Sequence, residues 1–294
     1  MGGLDAEAPI RTVEAEINYL APDSTINRRF VAPGVEVNTG TFVPHRVPIR
    51  DGRPLKGRIG LDTHGFVLAD RPSAVGDFFD RAEVDRIYPG EVVESVRALT
   101  GASSVAPLGW VVRTSGDLSA RRNEVGHPHG GMQPPASDAH VDMTPDRAER
   151  MARAIYEKSF PEGRGYSRFL ASSLWRAFSE PPQDWPLAVC ESNSVRADEG
   201  VPNTMFIVDE LPKDLLGPMP DEDQVPAAAI FRYSPDHRWW YFSGMTREEV
   251  ILVKFHDSDR SRPWRTPHTA FLDPSFADTR TRSSIEFRTV AFFE

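Results

Sequence analysis

A single cysteine stands in the 294 residues, which excludes an internal disulfide and a cysteine-built zinc cluster. That residue, Cys190, closes the apolar run Pro186-Leu187-Ala188-Val189 and reads as a buried structural thiol in a reducing compartment. No stretch approaches the roughly 18 apolar residues of a membrane span. The start, Met1-Gly2-Gly3-Leu4-Asp5-Ala6-Glu7, has neither the basic region nor the apolar stretch of a secretory signal, so a cytoplasmic protein with no membrane partner is expected. Positive charge is also in deficit. The 34 Lys and Arg against 43 Asp and Glu give a net charge of −9, which speaks against nucleic acid as a partner because phosphate backbones select basic faces. Internal repeats, low-complexity tracts and interdomain linkers are absent, and nothing in the sequence assigns an oligomeric state.

What is present is material for a large β core. Hydrophobic residues make up 39% of the chain, with 17 Phe and 6 Trp to supply aromatic surface. Residues 1–60 alternate in short runs, Val13 to Leu20 and Gly34 to Thr39, broken by Pro22, Pro33, Pro44 and Pro48. Gly60 to Leu68 reads as another strand, in which His64 is structural or touches a ligating residue rather than being a ligand itself. Ser73 to Phe79 opens a helical stretch with a serine cap, and Pro89 initiates a second helix carrying Val92, Val93, Val96 and Leu99, stopped by Gly101. Val105 to Arg113 returns to strand character. The Gly/Pro-rich stretch 115–135 is expected to be a mobile lid or entry loop, in which His127 and His129 read as exposed imidazoles rather than ligands. Thr144-Pro145 caps a helix over 145–158. Strands are then expected at 172–178, 185–190, 203–208, 227–233, 237–242, 250–255 and 283–293. The fold class is therefore mainly β with flanking helices, a jelly-roll (double-stranded β-helix, cupin-like) core. One catalytic domain over 1–294 is expected, with 1–115 packing on a core formed by 136–294.

The chemistry concentrates at Ser137-Asp138-Ala139-His140-Val141-Asp142-Met143. In a strand, residues i and i+2 share a face, so His140 and Asp142 offer two ligands of a 2-His-1-carboxylate facial triad, the arrangement that leaves three iron positions open. His268 is the best candidate for the third. Taken alone, the pair reads first as a satisfied histidine and an Asx turn ahead of a helix. A second pattern changes the weight. In Arg282-Ser283-Ser284-Ile285-Glu286-Phe287-Arg288, alternation puts Arg282, Ser284, Glu286 and Arg288 on one strand face. Arg282-x-Ser284 follows His268 by fourteen residues and presents a guanidinium fork plus a hydroxyl to a carboxylate ligand. Arg288 is the alternative fork, or else a partner for Glu286.

His-x-Asp, a distant His and Arg-x-Ser shortly beyond it resemble the 2-oxoglutarate/Fe(II)-dependent oxygenases. The likeness is to the small-molecule hydroxylase/desaturase branch that includes the cephamycin 7α-methoxylation protein and gibberellin-desaturase-like enzymes. It extends over His64-Gly65-Phe66, Thr100-Gly101-Ala102, Trp175-Arg176, Pro186-Leu187-Ala188, Lys254-Phe255-His256-Asp257-Ser258, His268-Thr269-Ala270-Phe271 and Ser284-Ile285-Glu286-Phe287-Arg288. The resemblance implies Fe(II) on His140, Asp142 and His268, and 2-oxoglutarate held by Arg282 and Ser284 or by Arg288. It also implies O2 as co-substrate, and substrate contacts from Trp175 and Arg176. Oxidative decarboxylation of the keto acid would then drive hydroxylation or desaturation of an unactivated C–H position in a small molecule of secondary metabolism. A carboxylate at Asp142 argues against halogenation, since halogenating relatives vacate that position. Two other readings compete: a cupin-like metal-binding module, which has no need of the Arg282-x-Ser284 clamp, and an iron oxidase using O2 without 2-oxoglutarate, which would form no succinate.

Overall fold

Two-residue alternation sends successive side chains to opposite sides of a strand, and here it builds two sheets facing one another with a helix on one outer face. The computed structural model describes residues 10–33, 35–116, 132–225, 227–275 and 278–294. In chain order the elements are β1 (Thr12–Leu20), β2 (Arg28–Ala32), β3 (Val35–Asn38), β4 (Phe42–Asp51), β5 (Phe66–Asp70), α1 (Arg81–Thr100), β6 (Ser104–Thr114), β7 (Met132–Gln133), β8 (His140–Val141), α2 (Pro145–Ser159), β9 (Arg168–Ala177), β10 (Leu187–Cys190), β11 (Val201–Ile207), β12 (Ala227–Ile230), β13 (Trp239–Tyr241), β14 (Glu249–Asp257), β15 (His268–Ala270) and β16 (Ser283–Phe293). One sheet runs β1-β4-β13-β10-β15-β8-β12-β11-β2-β3, and the other β5-β14-β9-β16-β6-β7. This is the jelly roll that the sequence implies. The strands of the N-terminal third are built into it, β1 to β4 at the two ends of the larger sheet and β5 and β6 in the smaller.

The smaller sheet shows how the alternation is used. On β14, Val250 and Leu252 join the cluster under α1, whereas Ile251 and Val253 face the interior between the sheets. On β16, Ile285 and Phe287 pack under α1 against Tyr88 and its neighbours. The even positions of β16 therefore face inward, and from Arg282 to Arg288 they are polar. Further along, Val290 and Phe292 return the inner face to an apolar cluster shared with β1, β13 and α2.

Several local expectations change. Residues 73–79 are not helical: Glu83 accepts the Gly76 and Asp77 N–H groups, and Asp80 caps α1 by accepting from Ala82 and Glu83. The two helices expected there are one, and Pro89 lies inside α1, where Val84, Tyr88, Val92 and Val96 carry the buried stripe across it. Gly101 does end the helix, in the left-handed region at φ 72°. β4 runs through Pro44 and Pro48 rather than stopping at them; both fall at even positions, so both missing donors lie along one edge, and β13 pairs with β4 only from Ile49 to Asp51. Residues 60–65 form a turn rather than a strand, closed by Gly65 at φ 93°, where a Cβ would meet Thr266 Oγ1 at 2.3 Å. Cys190 is buried as expected, and burial pushes its thiol up to about 12. The expected lid lies largely outside the described residues, His127 and His129 included.

One buried ion cluster ties the start of β14 to the turn after β4. Glu249 accepts from Arg53 and, at 2.9 Å, from Lys56 Nζ. Burial would raise its carboxyl, but Arg53 and Lys56 override that and bring it down to about 2 from an ordinary 4.5. A carboxyl depressed by folding stabilises the native state above its unfolded pKa, and that contribution is lost as pH falls through the folded value. Glu249→Gln is therefore expected to lower unfolding stability by about 1–3 kcal/mol at pH 7, with the gap narrowing from pH 4.5 toward 2. Urea denaturation across that range measures it, and a gap independent of pH would contradict the assignment.

Candidate active site

β8 is only two residues long, yet it sits between β12 and β15 in the larger sheet, and its first residue is placed directly opposite another histidine: His268 on β15 pairs with His140. Asp142 follows just beyond the strand. The donor atoms of His140, Asp142 and His268 all lie within 4.8 Å of one another, and each Nε2 is 3.4 Å from Asp142 Oδ1. The tautomers follow from the partners. His140 Nδ1 lies 2.8 Å from the Asp138 carbonyl and His268 Nδ1 3.1 Å from the Thr266 carbonyl, and since a carbonyl only accepts, each Nδ1 carries the hydrogen. Both Nε2 lone pairs are thereby turned toward Asp142 Oδ1, ready for a cation. Phe255 stacks on the His268 ring at 5.4 Å and limits its rotation.

The other carboxylate oxygen is already engaged. Arg288 Nε donates to Asp142 Oδ2 at 2.6 Å, and its Nη2 donates to Glu286 Oε1 at 2.6 Å. Glu286 in turn accepts from Arg113, whose Nη1 reaches the Pro134 carbonyl. Four charges of alternating sign thus run from β6 to the cation site. Burial would push the Asp142 carboxyl up, but Arg288 and the two imidazoles hold it well below the usual range. Burial likewise depresses His140, but Asp142 and Asp138 outweigh it and raise the imidazole to about 8. Glu286 is held low by Arg113 and Arg288 against its own desolvation.

Two cavities meet at His140. A narrow cleft is lined by Ser173, Trp175, Phe255, His268, Arg282 and Glu286 among others. A wider cavity of about 610 Å³ takes in His140, Asp142 and Arg288 and extends toward α2, β2 and β11. Arg282 is 1% exposed, and its guanidinium has one hydrogen bond, from Nη1 to the Trp185 carbonyl at 2.9 Å, with its Nε unpartnered. Burial, with Arg113 nearby, pushes this guanidinium down to about 9. Among the described residues no carboxylate pairs with it; it lies over the Trp175 ring at 5.5 Å. Ser284 is fully buried with an unpartnered Oγ, and so is Ser173 Oγ in the cleft itself. A buried guanidinium with no counter-ion is costly unless an anion completes it.

Two of the sequence assignments are corrected by this geometry. Arg176 does not reach either cavity. Consecutive strand residues point to opposite faces, so with Trp175 turned inward Arg176 is turned under α1, where it bonds Tyr88 Oη at 3.2 Å and the Arg71 carbonyl at 2.6 Å. Arg288 is not a free fork for a keto acid, because Asp142 and Glu286 already occupy its guanidinium. Trp175 lines the cleft beside Arg282 rather than the wider cavity. Ser173 was legible as the same-face neighbour of Trp175, whereas Arg113 carries no sequence signal, since its partner Glu286 lies far along the chain.

Comparison with known proteins agrees with the geometry. The family model described as an oxidoreductase/YMDC permease-like domain matches residues 17–292. Among the described residues no helix is long and apolar enough to cross a membrane. Hydroxylase/desaturase CTB9 of Cercospora beticola is 31% identical over 254 residues, 84% of this chain and 76% of that protein. The Fe(II)/2-oxoglutarate-dependent dioxygenase nvfI of Aspergillus novofumigatus is 27% identical over 290 residues, 95% of this chain and 96% of its own. The solved structure of the iron and alpha-ketoglutarate-dependent endoperoxidase NvfI matches with a TM-score of 0.76 at 26% identity, covering 96% of this chain and 98% of that one.

The Arg288 contact generates a prediction. Removing a partner that orients a metal-binding carboxylate typically costs 10–100-fold in metal affinity. Arg288→Ala should therefore weaken anaerobic binding of Co(II), followed by its visible absorption, by about tenfold or more, with Arg288→Lys recovering part of the loss. Unchanged affinity in Arg288→Ala would show that Asp142 needs no such support.

Proposed function

This chain belongs to the Fe(II)/2-oxoglutarate-dependent dioxygenases and hydroxylase/desaturases, and from that premise we propose how its residues divide the work. His140, Asp142 and His268 hold the iron through Nε2, Oδ1 and Nε2, each imidazole oriented by its own carbonyl and Asp142 by Arg288. Arg282 and Ser284 take the distal carboxylate of 2-oxoglutarate, with Ser173 and Trp175 lining the same cleft. The observation that carries this reading is Arg282, buried without a counter-ion among the described residues, two positions from the unpartnered Ser284 Oγ. A module that bound metal alone would have no use for a desolvated cation there. With iron, 2-oxoglutarate and O2 bound, the site supplies oxidative decarboxylation to succinate and CO2 and an oxidant strong enough for an unactivated C–H bond.

The protein's remaining tasks are positional. Trp175, Phe255 and Leu187 wall the cleft with apolar surface and limit water around the keto acid. The Arg113–Glu286–Arg288 chain keeps Asp142 ionised and fixed, so that two of its four lone-pair directions point away from the cation site. A small-molecule substrate would occupy the wider cavity, which adjoins the cleft at His140. Which bond it presents decides between hydroxylation and desaturation. We also read the chain as one catalytic unit, because β1 to β4 complete the sheet that carries β8 and β15.

His140→Ala, Asp142→Ala and His268→Ala are each expected to abolish succinate formation and iron retention, since a tridentate face does not keep its geometry with a ligand missing. Near-normal iron content and turnover in any of the three would remove that residue from the set. Arg282→Ala should raise the KM for 2-oxoglutarate by about 30-fold or more, the equivalent of losing about 2 kcal/mol from a charged bidentate contact. Arg288→Ala should act on iron affinity instead; a cosubstrate defect confined to Arg288→Ala would transfer the clamp to that residue.

A further inference from the structure

Among the described residues the charged groups of the wider cavity are paired except Arg147 and Asp138, the latter 3.9 Å from His140 Nδ1 at the end by the iron ligands. Arg29 pairs with Glu36 at 2.8 Å, Arg113 with Glu286 at 3.0 Å, and Arg288 with Asp142 and Glu286. Arg147, on the first turn of α2, lines the same cavity and makes no hydrogen bond or ion pair with any of the described residues. It is only half-buried. Its position is unfavourable on two counts. A cation in the first turn of a helix opposes the helix dipole, and burial, together with Arg288 nearby, depresses its guanidinium. Asp142 and, in the same helical turn, Asp146 offset these costs only in part, since neither makes an ion pair with Arg147. Asn203, 8% exposed on β11, likewise lines the cavity without a side-chain hydrogen bond. The rest of the wall is largely apolar and adaptable: Met143, Met151, Met205, Leu108 and Ile230.

We propose that Arg147 receives an anionic oxygen, a carboxylate or an ionised phenol or enol, on an otherwise apolar small-molecule substrate, and so selects which molecules this cavity admits. The volume of about 610 Å³ is that of a drug-sized ligand site. Arg113 and Arg288 are committed to Glu286 and Asp142, and Arg29 to Glu36, so an acidic substrate finds its counter-ion only on α2. The methionines accept an irregular carbon skeleton, and Arg147 fixes its orientation relative to the iron face of His140 and Asp142. A substrate contact held there acts on binding and register, which makes Arg147 a specificity residue. The identity of the occupant as substrate rests on the oxygenase reading above; the anion preference of the cavity does not.

Two fluorescent probes of nearly the same shape separate charge from apolar burial: 1-anilinonaphthalene-8-sulfonate, an anion, and N-phenyl-1-naphthylamine, its neutral counterpart. Each is titrated anaerobically into the full chain loaded with Fe(II) and 2-oxoglutarate. The sulfonate is expected to bind the wild type more tightly. Arg147→Met should weaken it by about tenfold or more, the usual loss for a hydrogen bond to a charged group, while leaving the neutral probe within about twofold; Arg147→Lys should restore most of the difference. Met205→Trp, which fills the cavity, should weaken both probes. Equal sulfonate affinity in wild type and Arg147→Met would overturn the proposal, as would sulfonate binding that survives Met205→Trp. The weak visible absorption of iron-bound 2-oxoglutarate is recorded alongside. Its absence would count against the oxygenase reading while leaving the anion preference standing; loss of the preference with that absorption intact would sink this proposal alone.

Discussion

The contact between Arg288 and Asp142 Oδ2 is the constraint from which the site follows. A carboxylate inside a jelly roll is strongly disfavoured unless its desolvation is met by a fixed opposite charge, and here that charge is itself fixed by Glu286, which is fixed by Arg113. Each ion removes the penalty of the next. The chain ends at Asp142 Oδ1, which no arginine or lysine among the described residues reaches and which lies 3.4 Å from each of two imidazole Nε2 atoms. The interior polarity that reads as a liability in β16 is thus what allows an ionised ligand to survive at the centre of the fold.

Strand order places the rest. β8 would be too short to stand alone, but β12 and β15 hold it on both edges, and register puts His140 opposite His268. β16 lies in the opposing sheet, so its inward face looks across at the two histidines and can supply Arg288 to the carboxylate and Arg282 to the cleft from one run of alternating residues. The outward face of the same run, Ile285 and Phe287, anchors the strand under α1. Packing on one side and chemistry on the other are therefore specified together by a single alternation.

Much of this was legible from residues alone. The His-x-Asp pair, the distant histidine and the polar face of β16 all depend on period-two patterning, which survives in one dimension, and β16 itself spans the expected Ser283 to Phe293. Three things were not legible, each for a physical reason. Arg176 enters as a substrate contact with Trp175 through the resemblance, which carries the dipeptide as a unit, although adjacency in a strand means opposite faces. Pro89 reads as a helix start because proline lacks a donor, yet the buried stripe Val84, Tyr88, Val92 and Val96 on both sides of it carries α1 through. Arg147 and Arg113 gave no signal at all. Whether an arginine is paired depends on contacts between distant segments, and only the folded arrangement shows that Arg113 is satisfied and Arg147 is not.

The central claim is that a metal face and a keto-acid clamp are built into adjoining walls of one interior. Anaerobic titration of the protein with Fe(II), then 2-oxoglutarate, tests it most directly through the weak visible charge-transfer absorption of an iron-bound keto acid. The account predicts absorption that appears only when both are present and saturates at one 2-oxoglutarate per iron. Iron bound at one equivalent with no spectral change on adding 2-oxoglutarate would contradict it.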